Sequence, residues 1–451
     1  MKPKGNSGFG KKVLFSLGQT GWSLAVVGFT ELIYFFYLPP EDGEPLFKEF
    51  VFQGAIGKVF TIVGLLSALG YILSAFMEPI VASLSDRSNF KMGKRKFFMA
   101  ISVLPFAAVS AMVFFPIYDG LSNLNTIWLT VTLLTAFLLK CFYTTPYNAL
   151  INEVAKEEND RFHLIMLLSV AYALGIGIGQ TINIFINILQ KSMSNEQAFQ
   201  WCILAYSIIA FTLMSIPILF VKDGSSASDV SSQEKVGFFV TLKEVWQNRN
   251  FRILVWVEFL YWFPNKIFTV AVTYFVTALM GLDNVYTSFI LYATGLGSFI
   301  LYPIIDKLVL KYGKKTIMQS AFVVLIFSNA YTATMGMINI SSYMMMVLYV
   351  LLNVYPIAVL GILPMAMAGD NAEKDFIETG IAKNASYYGL KTFMMKLGVA
   401  FTSLIFPSLL LLGKSFQNPL GVRMAAVFCC LAAFSAFIVM RKYQDIGNLK
   451  G

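Results

Sequence analysis

The sequence predicts an all-α membrane protein with twelve transmembrane helices in two pseudo-symmetric six-helix bundles. Three observations carry that prediction. Hydrophobic residues make up 57% of the chain and charged residues 13%, against about 25% charged in a soluble domain. Apolar runs of about 20 residues, the length that crosses a bilayer, recur twelve times. A ten-residue pattern occurs twice, 220 positions apart: Asp86-Arg87-x-x-x-Lys91-x-Gly93-Lys94-Arg95 and Asp306-Lys307-x-x-x-Lys311-x-Gly313-Lys314-Lys315. That offset is close to half of the 451 residues, so the chain reads as two related halves.

The spans fall, in order, at 13–39, 58–85, 97–117, 127–151, 162–189, 199–221, 252–279, 285–305, 316–337, 342–367, 384–412 and 418–440. The first follows a basic start but is longer than a signal segment, so it reads as a retained span. With the N-terminus inside, the inner segments hold 25 Lys and Arg and the outer segments five (Lys48, Lys58, Lys191, Lys414 and Arg423). Positive charge stays on the cytoplasmic side, so both termini are expected in the cytoplasm, in a multi-pass protein of the cell (inner) membrane. The segment 222–251 opens Lys222-Asp223-Gly-Ser-Ser and reads as a flexible cytoplasmic linker. Its later part, 238–248, has the composition of a short interfacial helix. The linker separates an N-terminal bundle, 1–221, from a C-terminal bundle, 252–451.

Composition also narrows the function. The net charge of +9 comes from basic loops between apolar runs, which points to membrane topology and not to nucleic acid. Cys141, Cys202, Cys429 and Cys430 all fall inside apolar runs, without metal spacing or a disulfide framework. His163 is the only histidine. No nucleophile, metal or histidine constellation suggests an enzyme, and no cofactor is expected. The partners expected are a small-molecule substrate and the bilayer, with the protein a monomer.

The duplicated pattern links one span to the next. Gly93 and Gly313 permit a tight turn. Lys94, Arg95 and Lys307 suit an anionic inner leaflet. Asp86, with Arg87 beside it, and Asp306 sit at helix ends, where a carboxylate can meet a cation or a helix N-terminus. Such contacts hold in one conformation and break in another, which makes these loops candidate gates.

Ionisable residues inside spans cost about 2.5–3.5 kcal/mol each on insertion scales. Glu31, Glu78 and Glu258 face Lys140, Lys266 and Lys396, three acids against three bases. Lys140 and Thr144 share a face one turn apart, and Glu258 and Lys266 stack loosely on one helix. Lys391 lies nearer the inner end, where its stem can snorkel. Trp22 and Trp262 are candidate rings for lining a cavity. Gly175, Gly177 and Gly179, and Pro356 and Pro364 with Gly361, mark helices five and ten as closely packed or bendable.

Several segments together resemble one family. Helix two ends Phe76-Met77-Glu78-Pro79-Ile80. Helix four ends Thr144-Thr145-Pro146-Tyr147-Asn148-Ala149-Leu150. Helix eleven is entered by Glu378-Thr379-Gly380 and carries Tyr388-Gly389-Leu390-Lys391 through Lys396-Leu397-Gly398. With Gly18-x-x-Gly21 in helix one, these resemble the glycoside–pentoside–hexuronide cation symporters of the major facilitator superfamily, the family of the melibiose carrier. The resemblance implies a sugar site beside a cation site. Of the cation-site positions, Glu78 keeps its carboxylate, while Ser74 and Thr144 stand where the melibiose carrier has acids. Lys396 matches the helix-eleven lysine. Ser23 stands in place of the sugar-binding aspartate, and Ser169 lies near the place of the family arginine. At ~1.5 Å rise per residue, Ser23, Glu78, Thr144 and Lys396 fall roughly 24–27 Å below their outer ends.

The expectation is a secondary transporter for a small polar solute, a sugar or glycoside. Its coupling ion would be a proton at Glu78 ahead of sodium, since a single desolvated carboxylate can titrate near neutral pH. A permanent Glu78–Lys396 pair would instead leave transport uncoupled. Glu31 has no counterpart in the family pattern and is a candidate for substrate specificity, with Lys140, Glu258 and Lys266. A lysolipid carrier of the same fold and a transporter-like sensor are the alternatives.

Overall fold

A computed structural model describes residues 8–40, 46–56, 59–88, 90–155, 158–221, 244–337, 339–381 and 383–446. Its long helices are α1 (Phe9–Tyr37), α2 (Ile62–Arg87), α3 (Lys94–Met112), α4 (Asn123–Val154), α5 (Glu158–Gln180, stepping at Thr181 into Ile182–Leu189) and α6 (Asn195–Phe220). They continue as α7 (Arg249–Tyr274), α8 (Val285–Tyr312), α9 (Lys314–Thr334), α10 (Ser342–Thr379), α11 (Asn384–Leu410) and α12 (Leu420–Arg441). Among the described residues there is no strand. Eleven of the helices are long and apolar enough to cross a membrane. The exception is α7, whose apolar residues are interrupted by Glu258, Asn265 and Lys266. Most of the expected linker, 222–243, lies outside the described residues, as does most of the interfacial helix expected at 238–248. Only a single helical turn, 244–247, is described there.

Short polar residues start the helices by satisfying backbone N–H groups that lack a helical partner. Thr61 accepts from Gly64 N (3.1 Å), Asn248 from Phe251 N (3.0 Å) and Ser341 from Met344 N (3.4 Å). Ser194 and Gln197 form a reciprocal capping box on α6. Internal prolines such as Pro79, Pro146 and Pro264 do not end their helices. Helix α10 runs past the expected 367 to Thr379 and stops where Gly380 turns left-handed at φ +70°. Its last turns are polar, so apolarity marked the membrane boundary and missed the end of the helix.

The structure divides into two units, one holding α1–α6 and the other α7–α12. Each is built on the same plan. In the first, α1 packs on α5 and α6, α4 on α2 and α3, and α3 on α6. In the second, α7 packs on α11 and α12, α10 on α8 and α9, and α9 on α12. The leading helix of each unit also carries a π-helical turn, at Gly28–Leu32 and at Phe275–Leu279. Such turns are rare and often accompany functional sites.

Close approach in the first unit depends on glycine. A Cβ on Gly175 of α5 would stand 1.9 Å from Ser23 Oγ and 2.4 Å from the Thr20 carbonyl of α1. Thr20 in turn donates to the Ala171 carbonyl at 2.9 Å. Gly175 therefore supports close helix approach.

Candidate functional site

The two basic loops turn on glycines in positive φ, Gly93 at +106° and Gly313 at +82°. The residues just after each glycine open the next helix, which places cations beside the end of the span that follows. Arg95 donates to the Ala149 carbonyl at 2.8 Å and is ion-paired with Glu153, both on α4. Lys314 is ion-paired with Asp370 of α10 through both carboxylate oxygens, at 2.6 and 2.7 Å. Both pairs are about four-fifths buried. Equivalent helices are thus joined twice by the same kind of bond. The acids lie 58 and 56 residues after their cations, on another helix, and neither was singled out from the sequence. Asp306 of the pattern takes no part in these pairs. Asp306 and Lys307 are exposed on α8, and no ion pair of either is found among the described residues. The side chains of Asp86 and Arg87 lie outside the described residues. Lys94 is half-buried at the start of α3.

The second loop has a further tie. Asp445 accepts from Lys315 N (3.4 Å), and Lys315 Nζ donates to the Arg441 carbonyl (2.9 Å). Asn371 Nδ2 donates to Tyr443 OH (2.9 Å), and Asn250 bonds the backbone of Gln444 in both directions. Burial pushes the Tyr443 phenol well above its usual pKa, so it stays neutral.

In the first unit, the polar residues gather around the π-helical turn of α1. Glu31 accepts from Gln180 Nε2 of α5 at 2.7 Å. Tyr71 of α2 hydrogen-bonds Thr30, and both Tyr71 and Tyr172 lie within electrostatic reach of the Glu31 carboxylate. The Trp22 ring sits 5.5 Å from Tyr172, and its Nε1 donates to Gln19 (3.1 Å). Glu31 was legible as an in-span acid, but Gln180, Tyr71 and Tyr172 carry no charge pattern and went unseen. Ser23 is buried against α5 and donates to the Thr20 carbonyl (3.1 Å). Ser74 is fully buried, and its carbonyl faces Cys141 Sγ at 3.8 Å. Thr144 is buried and donates to the Lys140 carbonyl (2.9 Å). Glu78 is half-buried on α2, and Lys140 is half-buried on α4.

In the second unit, Glu258 has a different partner from the one expected. Its Oε1 accepts from Lys391 Nζ (2.7 Å) and from Trp262 Nε1 (2.9 Å). Glu258 is 1% exposed and the Lys391 side chain 12%, so Lys391 does not snorkel. It reaches from α11 into the core of its unit, because the low-dielectric interior favours a paired ammonium over a lone carboxylate. Glu258 Oε2 has no hydrogen-bond partner among the described residues. Lys266 and Lys396 are both buried. Beyond Glu258 on α7, Asn265 donates to Tyr261 OH at 3.0 Å. Those two residues line a cavity of about 20 Å³ with Asn329, Tyr349 and Asn353, enough for one water.

The chain is similar in fold to solved membrane transporters. The nucleoside transporter NupG superposes with a TM-score of 0.62 at 14% identity, covering 96% of this chain and 99% of that one. A D-xylose–proton symporter does so with a TM-score of 0.65 at 12% identity, covering 96% and 97%. Among curated sequences, the isoprimeverose transporter of Lactiplantibacillus pentosus is 22% identical over 54% of this chain and 50% of its own length. The inner membrane symporter YicJ of Escherichia coli (strain K12) is 23% identical over 59% of this chain and 57% of its own. The chain thus spans about half the length of the curated relatives it matches. Residues 18–439 match the family described as MFS/sugar transport protein, and the chain belongs to that family.

Proposed function

We propose that the protein is a secondary active transporter that moves a small polar organic solute, a sugar or glycoside, by alternating access and in symport with a cation. The observation that carries this reading is the ion pair made twice, Arg95–Glu153 and Lys314–Asp370, in a chain of the MFS/sugar transport family. Partly buried pairs at equivalent helix ends suit a latch that must form and release. The named relatives, an inner membrane symporter and an isoprimeverose transporter, agree with it. Gln180, Glu31 and Trp22 supply the acceptors, donors and ring face that a hydroxylated solute needs.

The coupling ion is a proton ahead of sodium. Sodium needs several oxygen ligands, and Ser74 and Thr144 offer only neutral hydroxyls. Glu78 remains as the one carboxylate of that set. The protein sits in the cell membrane as a monomer, with both termini in the cytoplasm. Uptake into proteoliposomes, with sugars, organic acids and lysolipids under separately imposed proton and sodium gradients, tests this reading. Accumulation of a sugar driven by the proton gradient is expected. The Glu78→Gln variant should lose accumulation and keep exchange and downhill flux. Accumulation unchanged in that variant removes Glu78 from coupling, and uptake of lysolipids alone overturns the sugar reading.

A further inference from the structure

We infer that the cavity between α7, α9 and α10 receives one hydroxyl group of the solute, the primary hydroxyl of a hexose unit. This rests on the transport reading above and names a contact that sets specificity.

The duplication shows what is unusual at this junction. In the first unit the corresponding helices α1, α3 and α4 meet through rings. Phe29 stands 5.1 Å from Phe137 and 6.2 Å from Phe106, and all three are fully buried. In the second unit the junction holds polar side chains around unfilled space, with one asparagine from each helix: Asn265, Asn329 and Asn353. Each asparagine donates its amide to the residue four positions earlier on its own helix. Asn265 donates to the Tyr261 hydroxyl (3.0 Å), Asn329 to the Leu325 carbonyl (2.8 Å) and Asn353 to the Tyr349 carbonyl (2.8 Å). Those bonds fix the orientation of the amides and leave three side-chain oxygens with no donor among the described residues. The Tyr349 hydroxyl has no hydrogen-bond partner among them either. Asn353 is 4% exposed and Tyr349 3%. Buried polar groups are paired in all but a few cases, so this set calls for a guest.

The lining defines that guest. Among the described residues no acid or base lines the cavity, so a charged group would enter unpaired at a high desolvation cost. The amide oxygens need a donor and the phenol needs an acceptor, and a hydroxyl is both. The narrow part, about 20 Å³, admits one oxygen atom and excludes a ring. It widens into an open hollow, about 380 Å³ in all, within the size range of small-molecule sites. The rings of Phe268 and Tyr349 stack beside it, 6.0 Å apart at 16°, and offer an apolar face for a sugar ring. Of the hydroxyls of a hexopyranose, only the primary one stands off the ring on its own carbon. It alone can enter the narrow part while the ring stays in the hollow.

Binding to the purified full-length protein in neutral detergent tests this. The probes are methyl glucosides and methyl galactosides of both anomers, each beside the same glycoside lacking only the primary hydroxyl. At least one complete hexoside should bind about tenfold or more tightly than its deoxy partner, which leaves the oxygens of the cavity unpaired. Asn353→Leu, close to asparagine in volume, should bring that ratio to near one. Tyr349→Phe, which keeps the ring against Phe268, should lower it, and decides the matter if the leucine variant does not fold. A purely structural role for these residues would weaken both glycosides together and leave the ratio unchanged. Failure of every hexoside to bind overturns the proposal, as does a ratio that survives the substitution. A ratio near one in the unaltered protein overturns it as well, since the cavity then holds water only. The two readings fail separately. An Asn353-dependent preference in binding without uptake leaves this site standing and removes transport. Equal accumulation of hexosides and their deoxy partners leaves transport standing and removes this site.

Discussion

Glu258 shows how a single buried acid can be misassigned from sequence. Helix spacing pairs it with Lys266, two turns on along the same helix, yet the ammonium that reaches it comes from Lys391, 133 positions on. Helix spacing reports neighbours on one helix and is silent about the helix packed against it. The pair is buried, so removing one partner strands the other. Lys391→Met should destabilise the second unit by about 3–5 kcal/mol, read as a large fall in the thermal midpoint of the detergent-solubilised protein. The double variant Lys391→Met with Glu258→Gln should recover much of that loss, because no lone charge is then left buried. A double variant no more stable than the single one would show that the pair acts through more than charge. Trp262, held to the same carboxylate at 2.9 Å, is expected to change its fluorescence when Lys391 is lost.

At the scale of elements, the turns between α2 and α3 and between α8 and α9 are where sequence and structure agree most closely. A repeated glycine followed by cations was legible, and the structure gives both glycines positive φ. The acids that complete each turn were not legible, because Glu153 and Asp370 lie at the far end of another helix and only folding brings them near. The spans were read from apolarity alone, and α7 shows its limit: the polar residues that lower its apolarity include Glu258 and Lys266. The π-helical turns had no sequence signal to find. Arg95→Gln and Lys314→Gln should each slow the transport cycle while leaving equilibrium binding of the solute within about twofold, a loss confined to the rate in the sense used for enzyme variants. Gly93→Ala should act in the same direction, since an alanine at φ +106° is strained. A matching loss of binding affinity would mean that these turns shape the site itself.

For the whole molecule, the repeated packing plan of the two units makes the chain a doubled structure with diverged chemistry. The first unit hydrogen-bonds its in-span Glu31 to an amide, Gln180, while the second ion-pairs its in-span Glu258 with Lys391. Topology is testable at the same scale. A cysteine at the exposed position 49 or 417 should react with an impermeant maleimide in intact cells, and one at the exposed position 442 only after permeabilisation. The native cysteines add little background, since three are buried and Cys430 is half-buried. The closeness of Ser23 to Gly175 has a consequence for redesign. Even a methyl group at 175 would stand 1.9 Å from the Ser23 Oγ and 2.4 Å from the Thr20 carbonyl, so no side chain enters there unless α1 and α5 move apart.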